Sequence, residues 1–250
     1  MRNIISDTLV LKTQRQGDYD KQVVLFGPGA GLIRATVYGS YRGKSRLAGS
    51  TEQFLRLKAY LYYNPVRDSW KLSDAEVLDS HRGIMGSLER ILAASVGAEI
   101  VMKTDAAGGE ERLYRLLLEY FHSLDDQSEV DISYFLIQFL WRYLAVSGYL
   151  PDLESCPECG RVLGPGESMV FSQDDPPFSC SDCGKGRGER RLSPGVRRYL
   201  LHTGELPWDR AVKVHLSSDA AEECRAVLSE YVQNVVEVPI HSLEGGGLAL

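Results

Sequence analysis

Four of the five cysteines in this chain form two C-x-x-C pairs, and these pairs constrain the fold more than any other feature of the sequence. The four are Cys156, Cys159, Cys180 and Cys183, with 20 residues between the pairs. Each C-x-x-C turn directs two thiolates at one point, and two such turns complete a tetrahedral zinc site. The sequence therefore predicts one structural Zn²⁺ per chain. Its site is expected in an inserted module at about residues 152–192, which we call the cysteine module.

Other uses of these cysteines fit the sequence less well. No long apolar segment typical of a secretory signal is found at the N-terminus, and cytosolic thiols stay reduced, so disulfides are not expected. A zinc deaminase needs an H-x-E element, and none of the five histidines is followed by glutamate two positions later. Four thiolate ligands also leave no open position on the metal for catalysis. The fifth cysteine, Cys224, is expected to be an ordinary core residue.

The first 80 residues predict a small β-barrel. Turn residues, mostly glycine, separate several β-rich segments, which are residues 8–13, 22–26, 32–38, 54–62 and a segment that begins at residue 69. In the third segment Ile33, Ala35 and Val37 alternate with more polar residues, as expected where one face of a strand is buried. Five short strands without an intervening helical pattern favour a closed barrel of the oligonucleotide-binding (OB) type. We therefore expect an OB-fold domain at residues 1–80.

From residue 81 onward the apolar residues recur with a helical period. Helices are predicted at about residues 88–96, 113–124, 134–146, 194–202 and 218–236. The third of these is apolar almost all round and should form the centre of a bundle. The fold class is therefore predicted as α+β. An N-terminal five-stranded OB-fold barrel would be followed by an α-helical domain at residues 81–250, with the cysteine module inserted in it.

The charge of the chain is unevenly distributed. The net charge of −6 and the pI near 5.5 argue against a protein that binds nucleic acid through bulk charge. Residues 1–80, however, carry 12 basic and 8 acidic residues, a net charge of +4, which leaves −10 for the remainder. Residues 21–51 contain five basic residues and no acidic one. This asymmetry indicates a basic contact surface on an acidic protein, although a solvated loop that lacks acids is an equal alternative.

The basic segment combines cations with tyrosines. Single-stranded nucleic acid is bound by such mixtures, because cations neutralise phosphates and aromatic rings stack on bases. Tyr41 is the best stacking candidate, whereas Tyr38 could equally pack on the barrel. The predicted phosphate contacts are Arg34, Arg42, Lys44 and Arg46. A second basic cluster, at residues 185–198, could extend this surface or pair with the acidic body.

No catalytic constellation stands out in the sequence. Residues 39–45 are one residue short of the phosphate loop G-x-x-x-x-G-K-[ST], and a strand rather than a helix is predicted to follow them. The most apolar run, residues 134–143, contains Gln138 and Arg142, so no membrane span is expected. The sequence therefore predicts a cytoplasmic binding protein that is not an enzyme.

Three segments, in this order, resemble the RecO family of bacterial DNA repair and recombination mediators. The sequence "VYGSYRGKSR" is similar to the family's basic loop, with its match at residues 39–46. The sequence "LWRYLAVSGYLPDLESCPECG" contains the helix end L-x-x-x-G-Y/F-x-P at residues 144–151 and the first zinc turn at residues 156–160. "FSCSDCG" supplies the second turn. The resemblance spans nearly the whole chain, and this chain keeps all four cysteines, which some family members lack.

The resemblance implies functions that spacing and charge do not reveal. It implies binding to single- and double-stranded DNA, strand annealing and partnership with RecR. It also implies contact with the C-terminal tail of the single-stranded-DNA-binding protein SSB, through a pocket in the helical domain, and thereby help in loading the recombinase RecA. An alternative from another class is an RNA-binding or ribosome-associated factor with a zinc ribbon, because OB barrels also bind RNA.

Overall fold

The computed structural model describes residues 2–42, 47–104, 111–126, 130–186 and 190–244. By their contacts these residues fall into two compact units, one built mainly from Met1–Gln127 and the other mainly from Ser128–Leu243. The division into domains at residue 80 stays a prediction.

The first unit contains a closed five-stranded barrel. Its strands are β1 (Arg2–Gln16), β2 (Asp20–Gly27), β3 (Gly31–Val37), β4 (Arg56–Asn64) and β5 (Ser69–Asp79). The strand order is β1-β2-β3-β5-β4, and β4 pairs with β1 to close the barrel. Neighbouring strands are antiparallel except β3 and β5, which pair in parallel with Ala35 opposite Trp70. The predicted OB-type barrel is therefore confirmed.

The alternation seen in the sequence sets the inner face of the barrel. Ile33, Ala35 and Val37 on β3 are all buried in the apolar core of the barrel, whereas Arg34 between them is exposed. The fourth strand begins two residues later than predicted. Phe54, which was expected to start it, has a positive φ of 70° and belongs to the turn before β4. Its ring packs edge-on against a phenylalanine of the following helical pair.

Two helices pack beside the barrel in the first unit. They are α1 (Leu88–Lys103) and α2 (Glu111–Asp125), and a 3₁₀ turn at Ile84–Gly86 precedes them. The predicted α1 helix is present, but Leu88 is 70% exposed, and its buried face is formed largely by small residues such as Ala93 and Gly97. A Cβ at Gly97 would lie 3.0 Å from side-chain atoms of Leu117 and Tyr120 on α2. The small face therefore permits the two helices to approach closely.

The second unit combines a helical core with a small sheet. Its elements are α3 (Ile132–Val146), β6 (Met169–Phe171), β7 (Phe178–Cys180), β8 (Arg190–Leu192), α4 (Pro194–Glu205), α5 (Trp208–Ala211), α6 (Ser218–Val236) and α7 (His241–Glu244). Helix α3 is buried almost all round, as predicted, and packs against α4 and α6. The buried Gln138 donates hydrogen bonds of 3.0 Å to Tyr199 and Thr203 on α4. These bonds fix the pairing of α3 with α4.

Helix α6 has the predicted bounds, with Ser217 at its N-cap. Cys224 on this helix is fully buried, and burial raises the pKa of its thiol. The neutral side chain is thus a core residue, as predicted.

No helix in the described part of the chain is long and apolar enough to cross a membrane.

Candidate metal centre and nucleic-acid surface

The four predicted ligand cysteines come together in the second unit. Cys156 and Cys159 lie in a turn before β6, Cys180 ends β7, and Cys183 follows in the next turn. All four Sγ atoms lie within 4.8 Å of one another, and those of Cys159 and Cys180 are 3.9 Å apart. A tetrahedral ion with metal–sulfur bonds near 2.3 Å requires S···S separations of about 3.8 Å. The donor set therefore fits a tetrahedral, thiolate-bound metal ion.

The two C-x-x-C turns are built in the same way. The backbone N–H of Gly160 donates to the carbonyl of Cys156, and that of Gly184 donates to the carbonyl of Cys180, each at 2.8 Å. A Cβ at Gly184 would lie 2.7 Å from the Cβ of Val170 on β6. Glycine is therefore required where the second turn passes back against the sheet.

The pKa values of the cluster's cysteines also favour binding of a cation. Burial opposes ionisation of Cys156, but backbone N–H groups, foremost that of Cys180, lower its pKa to about 6. The pKa of Cys180 is lowered as well, mainly by the N–H of Cys183. The thiol of Cys183 is hydrogen-bonded to its neighbours, and this raises its pKa to about 12. Cys156 and Cys180 thus ionise readily, whereas a positive charge at the centre would favour ionisation of Cys183.

One arginine connects the cysteine module to α4. Arg197 is 3% exposed, and its guanidinium donates to three backbone carbonyls, those of Leu153 at 2.7 Å, Glu167 at 3.2 Å, and Gly164. Because a guanidinium offers five donors in a fixed plane, a single side chain can hold three segments of the module in register. Arg197 therefore has a structural role and is not available to a ligand.

The second basic cluster, at residues 185–198, is used largely within the protein. Besides the buried Arg197, Arg190 forms an ion pair of 2.6 Å with Glu230 on α6, and Arg191 donates to Ser168 at 2.9 Å. Arg187 lies outside the described residues. The sequence left two alternatives for this cluster, a nucleic-acid surface or pairing with the acidic body. Arg190 follows the second alternative.

A cluster of tyrosines and arginines lies at one end of the barrel. The backbone N–H of Tyr41 donates to the carbonyl of Tyr19 at 3.0 Å, which ties the loop after β3 to the turn between β1 and β2. Both rings are about half exposed, at 47% and 53%. The guanidinium of Arg15 lies 5.3 Å from the centre of the Tyr41 ring, and that of Arg42 lies 5.1 Å from the centre of the Tyr19 ring. We call Arg15, Tyr19, Tyr41 and Arg42 the barrel-end cluster.

The other predicted contact residues have different surroundings. Arg34 is exposed on the outer face of β3, whereas Lys44 and Arg46 lie outside the described residues. Tyr38 is half exposed, and Lys71 Nζ lies 5.8 Å from the centre of its ring, so it is not packed inside the barrel. Lys21, the first cation of the basic segment, is buried in an ion pair of 2.8 Å with Glu52.

Two members of the barrel-end cluster were missed by the sequence reasoning. Arg15 lies near the end of β1 and Tyr19 in the turn that joins β1 to β2, and neither belongs to the acid-free segment that contains the other two. The available signal was the hairpin itself. Strand β2 pairs with β3, with Lys21 opposite Val37, so the turn before β2 must lie beside the loop that follows β3.

Two family models match this chain. The model described as Recombination protein O N terminal matches residues 1–81, and the model described as Recombination protein O C terminal matches residues 85–244. The chain belongs to the RecO family. The boundary between the two matches falls directly after β5, where the barrel ends.

Curated relatives with the name DNA repair protein RecO match over nearly their whole length. The protein from Caldanaerobacter subterraneus is 24% identical over 97% of this chain and 96% of its own. The protein from Symbiobacterium thermophilum is 29% identical, over 95% of this chain and 94% of its own. The protein from Syntrophotalea carbinolica is 27% identical, with 97% and 93% covered. The RecO likeness therefore includes both the barrel and the cysteine module.

Proposed function

We propose that this chain is a cytoplasmic DNA-binding mediator of recombination in DNA repair, and not an enzyme. The observation that carries the proposal is the barrel-end cluster, in which exposed aromatic rings and guanidinium groups meet on an OB-type barrel in a member of the RecO family. The name shared by the curated relatives, DNA repair protein RecO, supports the same role.

Single-stranded DNA fits the chemistry of this cluster. Guanidinium groups neutralise phosphates, and a base stacked on an aromatic ring contributes about 1–3 kcal/mol regardless of sequence. Double-stranded DNA would engage the same cations through its backbone. Because the rest of the chain carries a net charge of −10, the affinity should be local and strongly dependent on salt.

The second unit offers a groove for a peptide partner. It has a volume of about 610 Å³ and is lined by apolar side chains, among them Trp141 and Leu201, by the basic Arg142 and Arg198, and by the acidic Glu154 and Glu205. The C-terminal tail of SSB ends in a carboxylate, which an exposed guanidinium can bind. We therefore propose this groove as the site for the SSB tail. RecR as a partner, and RecA loading as the outcome, come from the RecO family alone.

Reversing the charge in this groove should weaken binding to SSB. Arg198 is exposed, and its substitution Arg198→Glu is expected to reduce affinity for a peptide of the SSB tail about tenfold, the effect of losing one charge-assisted contact. Fluorescence anisotropy with a labelled tail peptide measures this change. Arg210→Glu is the matched control, because Arg210 is exposed on α5 and does not line the groove. Equal losses in both variants would contradict the assignment of the groove.

For the cysteine cluster we propose Zn²⁺ as the ion, one per chain and structural. Four thiolates are the donor set of structural zinc sites and leave no position for a substrate. The four residues would hold the turns together, while the metal supplies the charge that offsets four thiolates.

The experiment that tests the function is annealing of complementary strands with and without SSB, at several salt concentrations. We expect the chain to accelerate annealing at low salt, to act on SSB-coated strands, and to lose the effect as salt rises. A competition arm uses RNA of the same sequence, since OB barrels also bind RNA. Absence of annealing would contradict the proposed function. A clear preference for RNA would favour the RNA-binding alternative.

A further inference from the structure

The first unit brings together a second group of metal-ligating side chains, unrelated to the cysteines. We propose that Asp79, His81 and His122 form a binding site for a divalent transition-metal ion such as Zn²⁺. Asp79 ends β5, His81 lies two residues beyond it, and His122 lies in the last turn of α2. Their ligand atoms all lie within 4.8 Å of one another.

The distances fit a shared ion. Oδ2 of Asp79 lies 3.3 Å from Nε2 of His122 and 3.7 Å from Nε2 of His81. Tetrahedral ligands at metal–nitrogen and metal–oxygen distances of about 2.0–2.1 Å are separated by about 3.3 Å. Small side-chain adjustments would therefore bring all three atoms into coordination.

His81 carries the strongest indication. Its side chain is fully buried, and its Nδ1 lies 2.7 Å from the carbonyl oxygen of Phe54. A carbonyl oxygen can only accept, so Nδ1 carries a proton, and in the neutral ring Nε2 presents a lone pair. That Nε2 is buried without a hydrogen-bond partner and points towards the carboxylate of Asp79. A metal ion between this lone pair and the carboxylate would be bound by both, and histidines that bind metals donate their other N–H in this way.

The other two ligands complete the arrangement. Oδ1 of Asp79 accepts the backbone N–H of His81 at 3.2 Å, which leaves Oδ2 to face both imidazoles. His122 is 46% exposed, which leaves an open side for water ligands. The nearby guanidinium of Arg56 is held in an ion pair with Asp7.

The backbone around the site is held in place before any ion binds. The N–H of Gly83 donates to Asp125 at 2.5 Å, and Arg90 donates to the carbonyl of Leu124 at 2.7 Å. These bonds join the end of α2 to the segment that follows β5 and to α1. An ion at the proposed site would strengthen the same junction. Two imidazoles with one carboxylate select Zn²⁺, Co²⁺ or Ni²⁺ over Mg²⁺ and Ca²⁺.

The test is a Co²⁺ titration of the full-length protein as purified, with bound metal counted by elemental analysis after dialysis. We expect one equivalent of Co²⁺ beyond the ion of the cysteine cluster, without a sulfur-to-metal charge-transfer band, and a higher melting temperature. His122→Ala removes an exposed ligand, so it should fold. It is expected to weaken Co²⁺ binding by more than about 100-fold. Loss of a hydrogen-bond partner outside the ligand set weakens metal binding by roughly 10–100-fold.

Two further variants make the result decisive. Asp79→Asn keeps an oxygen for the N–H of His81 but loses the charge, and should also lose the second equivalent. His202→Ala removes an exposed histidine of α4 and should bind as the wild type does. The proposal is overturned if the wild type takes up no additional equivalent, or if His122→Ala binds it as tightly as His202→Ala. In either case the three residues form only a hydrogen-bonded cluster.

Discussion

The double variant Cys156→Ser, Cys180→Ser is expected to lose its metal ion and the fold of the cysteine module. These two cysteines are the buried members of the cluster, at 0% and 1% exposure. Without the ion, the sheet in the described part of the module consists of three strands of three residues each, which is too small to be stable alone. Structural zinc contributes roughly 10–16 kcal/mol of apparent binding energy, as much as the whole stability of a typical domain.

The loss of structure in the double variant should extend to α6. Phe171 and Phe178 of the module pack on Tyr231 of this helix, with ring centres 6.1 and 5.2 Å from it. Elemental analysis should report one zinc fewer per chain, and hydrogen exchange should show loss of protection at residues 152–192 and along this face of α6. The matched control is Cys224→Ala, which removes a buried cysteine outside the cluster and should keep the zinc. A double variant that retains its zinc, or its exchange protection, would refute the structural role.

The sequence allowed the barrel and the main helices to be predicted because their signals are local. Strand alternation at Ile33, Ala35 and Val37 depends only on which side chains enter the core. The parallel pairing of β3 with β5 carries no such local signal, since it is formed by strands distant in sequence. The exposure of Leu88 could not be predicted either. The close approach of α1 and α2 at Gly97 decides which face of α1 is buried.

The candidate sites also differ in how far they could be predicted from the sequence. The four cysteines could be predicted because the spacing of C-x-x-C is itself the geometry of the ligands. Arg197 belongs to a basic run in the sequence, and only the fold shows that it binds carbonyls of the cysteine module. His81 and His122 are 41 residues apart and have no recognisable spacing. They meet because α2 packs beside the end of β5, which is a tertiary contact.

The triple variant Arg42→Glu, Lys44→Glu, Arg46→Glu is expected to lose most of its affinity for single-stranded DNA. Each phosphate contact on a single strand contributes about 0.7 to the salt slope and about 1 kcal/mol near 0.1 M salt, so three lost contacts should weaken binding roughly 100-fold. The slope of log K against log salt should become shallower by about 2. Anisotropy with a labelled oligonucleotide across a salt series measures both quantities.

Matched substitutions separate a local contact from the effect of net charge. Arg67→Glu, Arg112→Glu, Lys213→Glu makes the same change in net charge at exposed positions outside the barrel-end cluster and should leave the salt slope unchanged. Tyr41→Ala should cost about 1–3 kcal/mol of binding without altering the slope, because stacking releases no counterion, while Tyr41→Phe should bind normally. If both triple variants lose affinity equally, bulk charge governs DNA binding. In that case the positive charge of residues 1–80 is not a contact surface, and the assignment of DNA to this end of the barrel is wrong.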